Sequence, residues 1–269
     1  MKLIVLSDLH LMQDDPVRDQ GNHARLYSAV ERINTAYPDA DLVVVAGDIA
    51  DRGKLLRPYQ DAYAALSCLI PPWTVTVGNH DDRETFKSVF GVGHCDPNGF
   101  VQSSHDLDGT RVIVLDSASE EPAPEGMRGA RDPAGQLCPA RLTWLDHQLA
   151  SAKGMPVLIV FHHPAIPTCI TLDDWILRSP EALIDRLVAH GQVRHVISGH
   201  IHMTTTSFFR GIPFTTIAGG HTTSVEDFGG RENKFRRTGP AQMAVVLSDA
   251  DKTIVHFDNY VDANPDFQK

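Results

Sequence analysis

Short apolar runs alternate with longer amphipathic segments as far as residue 202, which predicts an α/β fold with mostly parallel strands. The apolar runs, rich in β-branched residues, predict buried strands at 2–6, 42–46, 73–77, 111–115, 156–161 and 193–198. Between them, apolar residues recur three and four positions apart, which predicts helices at 24–37, 59–69, 140–152 and 181–189.

The pattern changes after His202, where strand-like runs follow one another without helical segments. These runs lie at 204–209, 212–217, 242–247 and 253–257. We therefore expect an antiparallel meander that closes a second sheet. The length of 269 residues suits one α/β domain, so we expect a single domain over 1–269, with a motif-bearing core (1–203) and a strand-rich C-terminal part (204–269).

Two segments show neither periodicity and predict loops. Residues 119–136 are rich in proline, glycine and charge, and residues 219–239 contain two glycine pairs and a cluster of basic side chains. The cluster comprises Arg231, Lys234, Arg236 and Arg237. Long loops in compact domains often carry function, but a solvated connection is an equal alternative for each. The basic cluster is more typical of a solvated surface than of an anion site.

The composition excludes several classes of partner. The formal net charge is −10, which disfavours general attraction to nucleic acid or to an anionic membrane. The first apolar run, Leu3 to Leu6, is too short for a signal-peptide core or a membrane span, and no other run approaches membrane length. The four cysteines have no C-x-x-C spacing, so neither a disulfide framework nor a zinc ribbon is predicted. We expect a cytoplasmic protein.

Metal-competent side chains follow five of the predicted strands at their carboxyl ends. In a parallel sheet these ends lie along one edge, where ligands bind, so distant parts of the chain can meet there. The segments are Asp8-Leu9-His10, Gly47-Asp48, Asn79-His80-Asp81, His162-His163 and His200-Ile201-His202.

The residue types at these strand ends favour divalent metal ions. In extended segments, residues two apart project to the same side, so Asp8 with His10 and His200 with His202 can each present two ligands. Asp, Asn and His without thiolate favour Zn, Mn or Fe over a structural thiolate zinc site. The donors are too many for one ion and suit two, and a water held between two ions is a nucleophile at neutral pH.

The ordered series D-x-H, G-D, G-N-H-D, H and G-H-x-H, over residues 8–202, resembles the calcineurin-like metallophosphoesterase superfamily. The segments GNHDD, FHHP and SGHIH are most similar to its class III cyclic nucleotide phosphodiesterases and glycerophosphodiesterases. This resemblance implies two packed mixed β-sheets flanked by helices, an αββα sandwich. It also implies two divalent metal ions and hydrolysis of a small anionic phosphodiester by a hydroxide that bridges them.

The resemblance assigns a role to each motif residue. Asp48 bridges the two ions, His80 is uncoordinated and faces the phosphate, and Asp81 orients His80 or its loop. The first ion is held by Asp8, His10, Asp48 and His202, and the second by Asp48, Asn79, His162 and His200.

Four residues near the motifs have less certain roles. His163 adjoins a ligand and is equally a substrate contact or a supporting residue behind the ligands. Asp51 is more typical of a loop or helix start than of a ligand. His23 and His221 lie in segments that can border the pocket.

Several alternatives stay open. A 3′,5′-cyclic nucleotide and a glycerophosphodiester are equally compatible with the motifs, and we expect segments 169–179 and 219–239 to decide between them. A phosphomonoester, including phosphoprotein, is disfavoured because only Arg52 and Arg83 adjoin the motifs. A non-catalytic scaffold is disfavoured by the complete ligand set and by His80. The resemblance also implies self-association, for which the strand-rich C-terminal part is a suitable surface.

Overall fold

The computed structural model describes residues 1–13, 21–152, 154–224 and 236–261, which form two large β-sheets, a short strand pair and five α-helices. The helices are α1 (Asn22–Ala36), α2 (Leu56–Leu66), α3 (Arg83–Phe90), α4 (Pro139–Ser151) and α5 (Glu181–His190), and a 3-10 helix spans Thr171–Trp175. The strands are β1 (Lys2–Leu6), β2 (Leu42–Ala46), β3 (Trp73–Thr76), β4 (Ser103–Leu107), β5 (Thr110–Leu115), β6 (Val157–Phe161), β7 (Val193–Ser198), β8 (Thr205–Phe209), β9 (Ile212–Thr216), β10 (Thr223–Ser224), β11 (Arg236–Arg237), β12 (Ala241–Ser248) and β13 (Thr253–Val261).

Both large sheets are mixed, with parallel strands in the part that carries the motifs. The five-stranded sheet has the order β13-β12-β1-β2-β3, in which β1, β2 and β3 are parallel. The six-stranded sheet has the order β4-β5-β6-β7-β9-β8, in which β5, β6, β7 and β9 are parallel. Antiparallel strands flank both parallel sets.

The alternation of side chains along β1 shows how the layers form, because successive strand residues face opposite sides of a sheet. Ile4 and Leu6 pack with the apolar face of α1, which includes Ile33. Leu3 and Val5 face the other sheet, where they belong to a core that both sheets share. Helices α4 and α5 cover the outer face of the six-stranded sheet. The predicted sandwich of two mixed sheets flanked by helices is confirmed.

The predicted antiparallel meander after His202 is wrong. The β8–β9 hairpin extends the six-stranded sheet, with β9 parallel to β7. Strands β12 and β13 instead return to the five-stranded sheet, with β12 antiparallel to β1. The apolar residues Ala244 and Val246 of β12 join the core between the sheets. An apolar pattern predicts that a strand is buried, but not which neighbour it pairs with.

The sequence prediction lacked the two-turn helix α3, the edge strand β4, the 3-10 helix and the short pair β10–β11, which lies in the predicted loop 219–239. Strand β4 is polar, with the sequence SSHDL, so no apolar run marks it. Residues 225–235 lie outside the described residues, and with them about half of the predicted loop 219–239 and two of the four residues of its basic cluster, Arg231 and Lys234. No helix among the described residues is long and apolar enough to cross a membrane.

Candidate metal centre

The carboxyl ends of β1, β2, β3, β6 and β7 meet at one place between the two sheets. Backbone contacts join them there, since the N–H of Asp8 donates to the carbonyl of Gly47 and the N–H of Gly199 donates to the carbonyl of His162. All seven predicted metal ligands are brought together and buried, with no more than 9% of any of them exposed. They are Asp8, His10, Asp48, Asn79, His162, His200 and His202.

Five of these ligands have left-handed backbone conformations, which non-glycine residues rarely adopt. Their φ angles are 54° for Asp8, 43° for His10, 52° for Asp48, 72° for His200 and 51° for His202. Such conformations cost about 1–3 kcal/mol each and persist where the surrounding structure imposes them. Their concentration at the strand ends is typical of a functional site.

Two glycines permit the close approach of the strand ends. A Cβ atom at Gly78 would collide with Oδ1 of Asp48, and one at Gly199 would collide with Oδ2 of Asp8. Only glycine leaves room for these carboxylates. The glycines of the G-N-H-D and G-H-x-H motifs are therefore required for steric reasons, in addition to the ligands that the motifs carry.

The first group of ligands is centred on two facing imidazoles. The Nε2 atoms of His10 and His202 lie 3.1 Å apart. Nε2 of His202 is 3.4 Å from Oδ1 of Asp8, and Nε2 of His10 is 3.5 Å from Oδ2 of Asp48. These four residues are the predicted ligands of the first ion.

The second group shares Asp48 with the first. Oδ2 of Asp48 lies 3.2 Å from Nε2 of His162, which in turn is 3.2 Å from Nδ1 of His200. Oδ1 of Asn79 is buried and has no hydrogen-bond partner among the described residues. Asp48 is thus placed to contact cations in both groups.

The donor set fits divalent cations. Facing imidazole nitrogens at 3.1 and 3.2 Å cannot both carry a proton, so each pair presents at least one lone pair. A buried amide oxygen without a partner is costly unless something else binds it. Nitrogen and oxygen donors without thiolate suit borderline and hard divalent ions.

The protonation of the site also favours cation binding. Burial alone would raise the pKa values of Asp8 and Asp48, but nearby imidazoles outweigh it and hold both below their usual range. Burial lowers the pKa of His10 well below its usual value and that of His200 to about 3. Burial also opposes charge on His162, but the adjacent carboxylate of Asp48 raises its pKa to about 9. A metal ion would compete with the proton on His162.

Asp81 is buried and ties two strand-end loops together. Its carboxylate accepts hydrogen bonds from the backbone N–H groups of Ile49, Ala50 and Gly78, and from the hydroxyl of Tyr59. Burial, followed by the charge of Asp48, raises its pKa to about 6. Of the two alternatives in the sequence prediction, these contacts favour orientation of the loop.

His80 is oriented by the backbone carbonyl of Asp51, which the sequence had indicated only as a helix-start or loop residue. Nδ1 of His80 lies 2.8 Å from the backbone carbonyl of Asp51, and its own backbone N–H donates to Oδ1 of Asp48 at 2.9 Å. The rings of His80 and His10 meet edge to face, with centroids 4.6 Å apart. A carbonyl can only accept, so Nδ1 carries the hydrogen and Nε2 is left for another partner.

An open cavity of about 620 Å³ reaches the ligands and includes residues that sequence analysis missed. Arg128 and Arg131 come from loop 119–136 and Trp175 from the 3-10 helix. The sequence analysis had disfavoured a phosphomonoester because only Arg52 and Arg83 adjoin the motifs. The structure corrects this argument, since Arg128 and Arg131 line the cavity, whereas Arg83 is paired with the buried carboxylate of Asp116. The sequence had marked loop 119–136 only as a long loop that could carry function, and segment 169–179 only as one that decides the substrate, without naming a residue in either.

The two arginines at the cavity are themselves paired with carboxylates. Nε of Arg128 donates to Oδ2 of Asp51 at 2.9 Å, and a nitrogen of Arg131 lies 3.3 Å from Oδ2 of Asp82. Both pairs connect loop 119–136 to the strand-end loops. This part of the cavity wall is therefore held by charge pairs.

Three further histidines were weighed from the sequence. His163 is completely buried, with Nδ1 2.8 Å from Oγ of Ser117 and its ring 4.7 Å from that of His200, which favours a supporting position behind the ligands. His221 lines the cavity, with its ring 4.9 Å from that of His10. His23 bonds to the carbonyl of Met12.

Comparisons with known proteins agree with this geometry. The sequence profile of a family described as calcineurin-like phosphoesterase matches residues 1–204. A probable cyclic nucleotide phosphodiesterase of Rhodopseudomonas palustris is 31% identical over 260 residues, which are 95% of this chain and 91% of the relative. A probable glycerophosphodiester phosphodiesterase of Arcobacter nitrofigilis is 29% identical over 228 residues, 81% of this chain and 78% of the relative.

A solved structure shows the same fold. The dimetal phosphatase of Danio rerio superposes with a TM-score of 0.70 at 18% sequence identity. The match covers 97% of this chain and 96% of the zebrafish protein.

Proposed function

Because the chain belongs to the calcineurin-like phosphoesterase family, we propose that it is a metal-dependent phosphodiesterase that hydrolyses small anionic phosphodiesters. The observation that carries this proposal is the buried donor cluster that opens into a cavity beside His80. The names of its relatives support a diester, either a cyclic nucleotide or a glycerophosphodiester. The acidic net charge of −10 favours a small substrate over nucleic acid.

We propose that the donors hold two divalent ions, with Asp48 between them. Asp8, His10 and His202 would complete one coordination sphere, and Asn79, His162 and His200 the other. Ions bound there supply positive charge for the phosphoryl oxygens and activate a water as the nucleophile. Manganese, iron and zinc all suit this donor set.

His80 is proposed to act directly on the reacting phosphate. Because the carbonyl of Asp51 accepts the hydrogen bond from Nδ1–H, the Nε2 atom is the nitrogen left to bind the substrate. A protonated ring can donate from Nε2 to the leaving alkoxide or to a phosphoryl oxygen whose charge grows in the transition state. Asp81 is proposed to preserve the loop geometry that keeps His80 beside Asp48.

A phosphomonoesterase is the second candidate, and one observation favours it. Arg128 and Arg131 line the cavity, where arginines can bind a terminal phosphate. Their pairing with Asp51 and Asp82 reduces the charge that they can offer.

A non-catalytic scaffold is disfavoured, since the donor set and His80 are all in place. We also propose a cytoplasmic location, which the four free cysteines support.

The deciding experiment compares bis-p-nitrophenyl phosphate with p-nitrophenyl phosphate as substrates of the manganese-loaded protein. We expect kcat/KM to be higher for the diester, and His80→Ala to lower kcat by about 100-fold or more because an acid catalyst is lost. His147→Ala, at an exposed histidine on α4, is the matched control and should retain activity.

Each other outcome has a defined meaning. A preference for the monoester would transfer the protein to the phosphatases. No hydrolysis of either compound by fully metal-loaded protein would favour the scaffold. Full activity of His80→Ala would remove the proposed role of that residue.

A further inference from the structure

A stretch of backbone from the C-terminal part, residues 219–224, lies directly behind the first group of proposed ligands. We call it the supporting segment. A Cβ atom at Gly219 would lie 2.8 Å from Cβ of Asp8, and the N–H of Gly220 donates to the carbonyl of Ser7 at 2.9 Å. Neither glycine belongs to the ordered motifs. Because the packing is this close, the supporting segment cannot shift without disturbing the ligands in front of it.

The supporting segment orients His202. The carbonyl of Thr222 lies 2.7 Å from Nδ1 of His202. A carbonyl can only accept, so Nδ1 carries the hydrogen and Nε2 presents its lone pair to the proposed ion. Ser224 adds two hydrogen bonds, from its N–H to the carbonyl of His202 at 2.8 Å and from its Oγ to the carbonyl of Ile201 at 2.7 Å. Partners of this kind fix the orientation of a ligand ring.

Arg25, near the start of α1, fastens the supporting segment to that helix. One terminal nitrogen of its guanidinium donates to the carbonyl of His221 and lies 3.5 Å from that of Gly220. The other terminal nitrogen donates to the carbonyl of Thr238. The two stretches of backbone that Arg25 joins lie on either side of the paired strands β10 and β11. One side chain therefore holds together the base of this strand pair.

The surroundings of Arg25 suit a residue that holds backbone in place. It is 9% exposed, and a buried guanidinium is costly unless its N–H groups find acceptors. Its planar fork of five donors can serve several carbonyls at once, which an ammonium group cannot do with the same geometry.

The charge of Arg25 cannot itself favour a nearby cation. Burial raises the pKa of the Tyr260 hydroxyl, and the charges of Arg25 and Asp8 act on it in opposite directions, so both lie near that hydroxyl. A positive charge in this position repels a metal ion. Any gain in metal affinity from Arg25 must therefore come from geometry.

We propose that Arg25 is a positioning residue for His202. It fixes the supporting segment, keeps the carbonyl of Thr222 on Nδ1 of His202, and thereby strengthens the binding of one of the two proposed ions. The inference rests on the metal centre of the proposed function and adds to it a residue from outside the motifs. It also predicts the opposite of simple electrostatics, because removal of a nearby positive charge would by itself tighten cation binding.

The test measures manganese dissociation constants by calorimetry for wild type, Arg25→Gln and Arg25→Lys. We expect Arg25→Gln to weaken one of two sites by about 10-fold and to leave the other unchanged, since residues that orient a ligand contribute about that much. Arg25→Lys keeps the charge but not the planar fork, so its affinity should lie between the other two. Arg32→Gln is the matched control, because it removes a cation from the same helix, where Arg32 pairs with Asp258 at 2.9 Å, and should keep both sites.

A double-mutant cycle separates positioning from general destabilisation. In His202→Ala, which lacks the oriented ligand, Arg25→Gln should cause no further loss of manganese affinity, although urea denaturation should still show lower stability. Unchanged or tighter binding in Arg25→Gln, or an equal loss with and without His202, would overturn the inference. If Arg25→Gln does not fold, Arg25→Lys takes its place in both comparisons, since any loss of affinity in that variant is independent of charge.

Because the readout is metal binding, this inference and the proposed function can fail separately. If the wild type binds manganese and hydrolyses diesters but Arg25→Gln binds both ions as tightly, only the inference is overturned. If Arg25→Gln weakens one site but no diester is hydrolysed, the inference stands and the proposed reaction does not. A wild type that binds no manganese, iron or zinc would overturn both.

Discussion

At the scale of single residues, Asn79 bears the most direct sign of a bound cation. Its Oδ1 atom is buried without a hydrogen-bond partner among the described residues, whereas a buried amide oxygen normally has one. Asn79 lies at a strand end, inside a cluster of acidic and imidazole groups, where its buried amide oxygen has no evident structural purpose. The neutral oxygen fits a ligand role better than a structural one.

We expect Asn79→Ala to weaken binding of one of the two proposed ions by about 10-fold or more, since even outer residues that support a ligand contribute that much. Metal content after dialysis, measured by mass spectrometry, checks this. Asn79→Asp keeps an oxygen donor and serves as the matched control. Equal metal content in all three proteins would remove Asn79 from the coordination sphere.

His195 gives the protein a pH dependence outside the metal site. The residue is 8% exposed, and its Nε2 lies 2.8 Å from Oγ1 of Thr215. Burial lowers its pKa to about 4, below the value of about 6.5 in an unfolded chain. The unfolded state therefore binds the proton first, and this contribution to stability is present above pH 6.5 and is lost as the pH falls towards 4.

We expect His195→Gln to flatten the fall in the free energy of unfolding between about pH 6.5 and pH 4, which from this one group amounts to about 3 kcal/mol. Urea denaturation of both proteins across this range measures it. The difference between the two curves matters, because other histidines contribute equally to each. Parallel curves would show that His195 is not titrated on unfolding.

At the scale of elements, the fifth residue of the GNHDD segment begins a helix. Asp82 is the N-cap of α3, where its Oδ1 accepts from the backbone N–H of Thr85 at 3.1 Å. Its other oxygen lies 2.5 Å from Nζ of Lys54 and 3.3 Å from Arg131. One motif thus contains a proposed metal ligand, a catalytic candidate, a residue that supports the loop and a helix start within five positions.

Replacement of Asp82 by alanine should lower the free energy of unfolding by about 1–2 kcal/mol, because the helix cap is lost. Asp82→Asn keeps a capping oxygen but removes the charge, so it should be less destabilised than Asp82→Ala. Chemical denaturation of the two variants and wild type gives the comparison. If asparagine and alanine were equally destabilising, the ion pairs rather than the cap would hold this helix start.

At the scale of the whole molecule, the two sheets share one core. Leu3 and Val44 from one sheet pack in the same cluster as Val114, Leu158 and Ile197 from the other. The proposed metal ligands also come from both sheets. A single domain over residues 1–269 stays a prediction, and so does self-association through the C-terminal strands.

The shared core predicts one cooperative unfolding transition. In calorimetry the van't Hoff and calorimetric enthalpies should agree for the metal-free protein, as they do for two-state domains. Manganese at 100 times its dissociation constant should add about 2.7 kcal/mol to stability per independent site if it binds only the folded chain. Two separate transitions would divide the sheets into independent units.

The motif residues could be predicted because each is a polar side chain placed where an apolar strand ends. Asp51 was marked only as a loop or helix-start residue, and Trp175 only as part of segment 169–179, because the place to which a loop carries a residue has no pattern in its local sequence. The ring of His80 is oriented by the backbone carbonyl of Asp51 and not by Asp81. This backbone contact has no signature in the sequence. The same limit applies to Arg128.

The sequence by itself determined most strands and helices and the polar segments at the strand ends, because periodicity and strand-end polarity are local properties. The layers of the sandwich and the set of seven candidate ligands were implied by the family resemblance of the ordered motifs. Only the tertiary structure decided that β12 and β13 return to β1, since strand pairing depends on which edges are free. It also decided that loop 119–136 and the 3-10 helix meet over one cavity. Contacts between distant segments arise from packing of the whole chain, which no short stretch encodes.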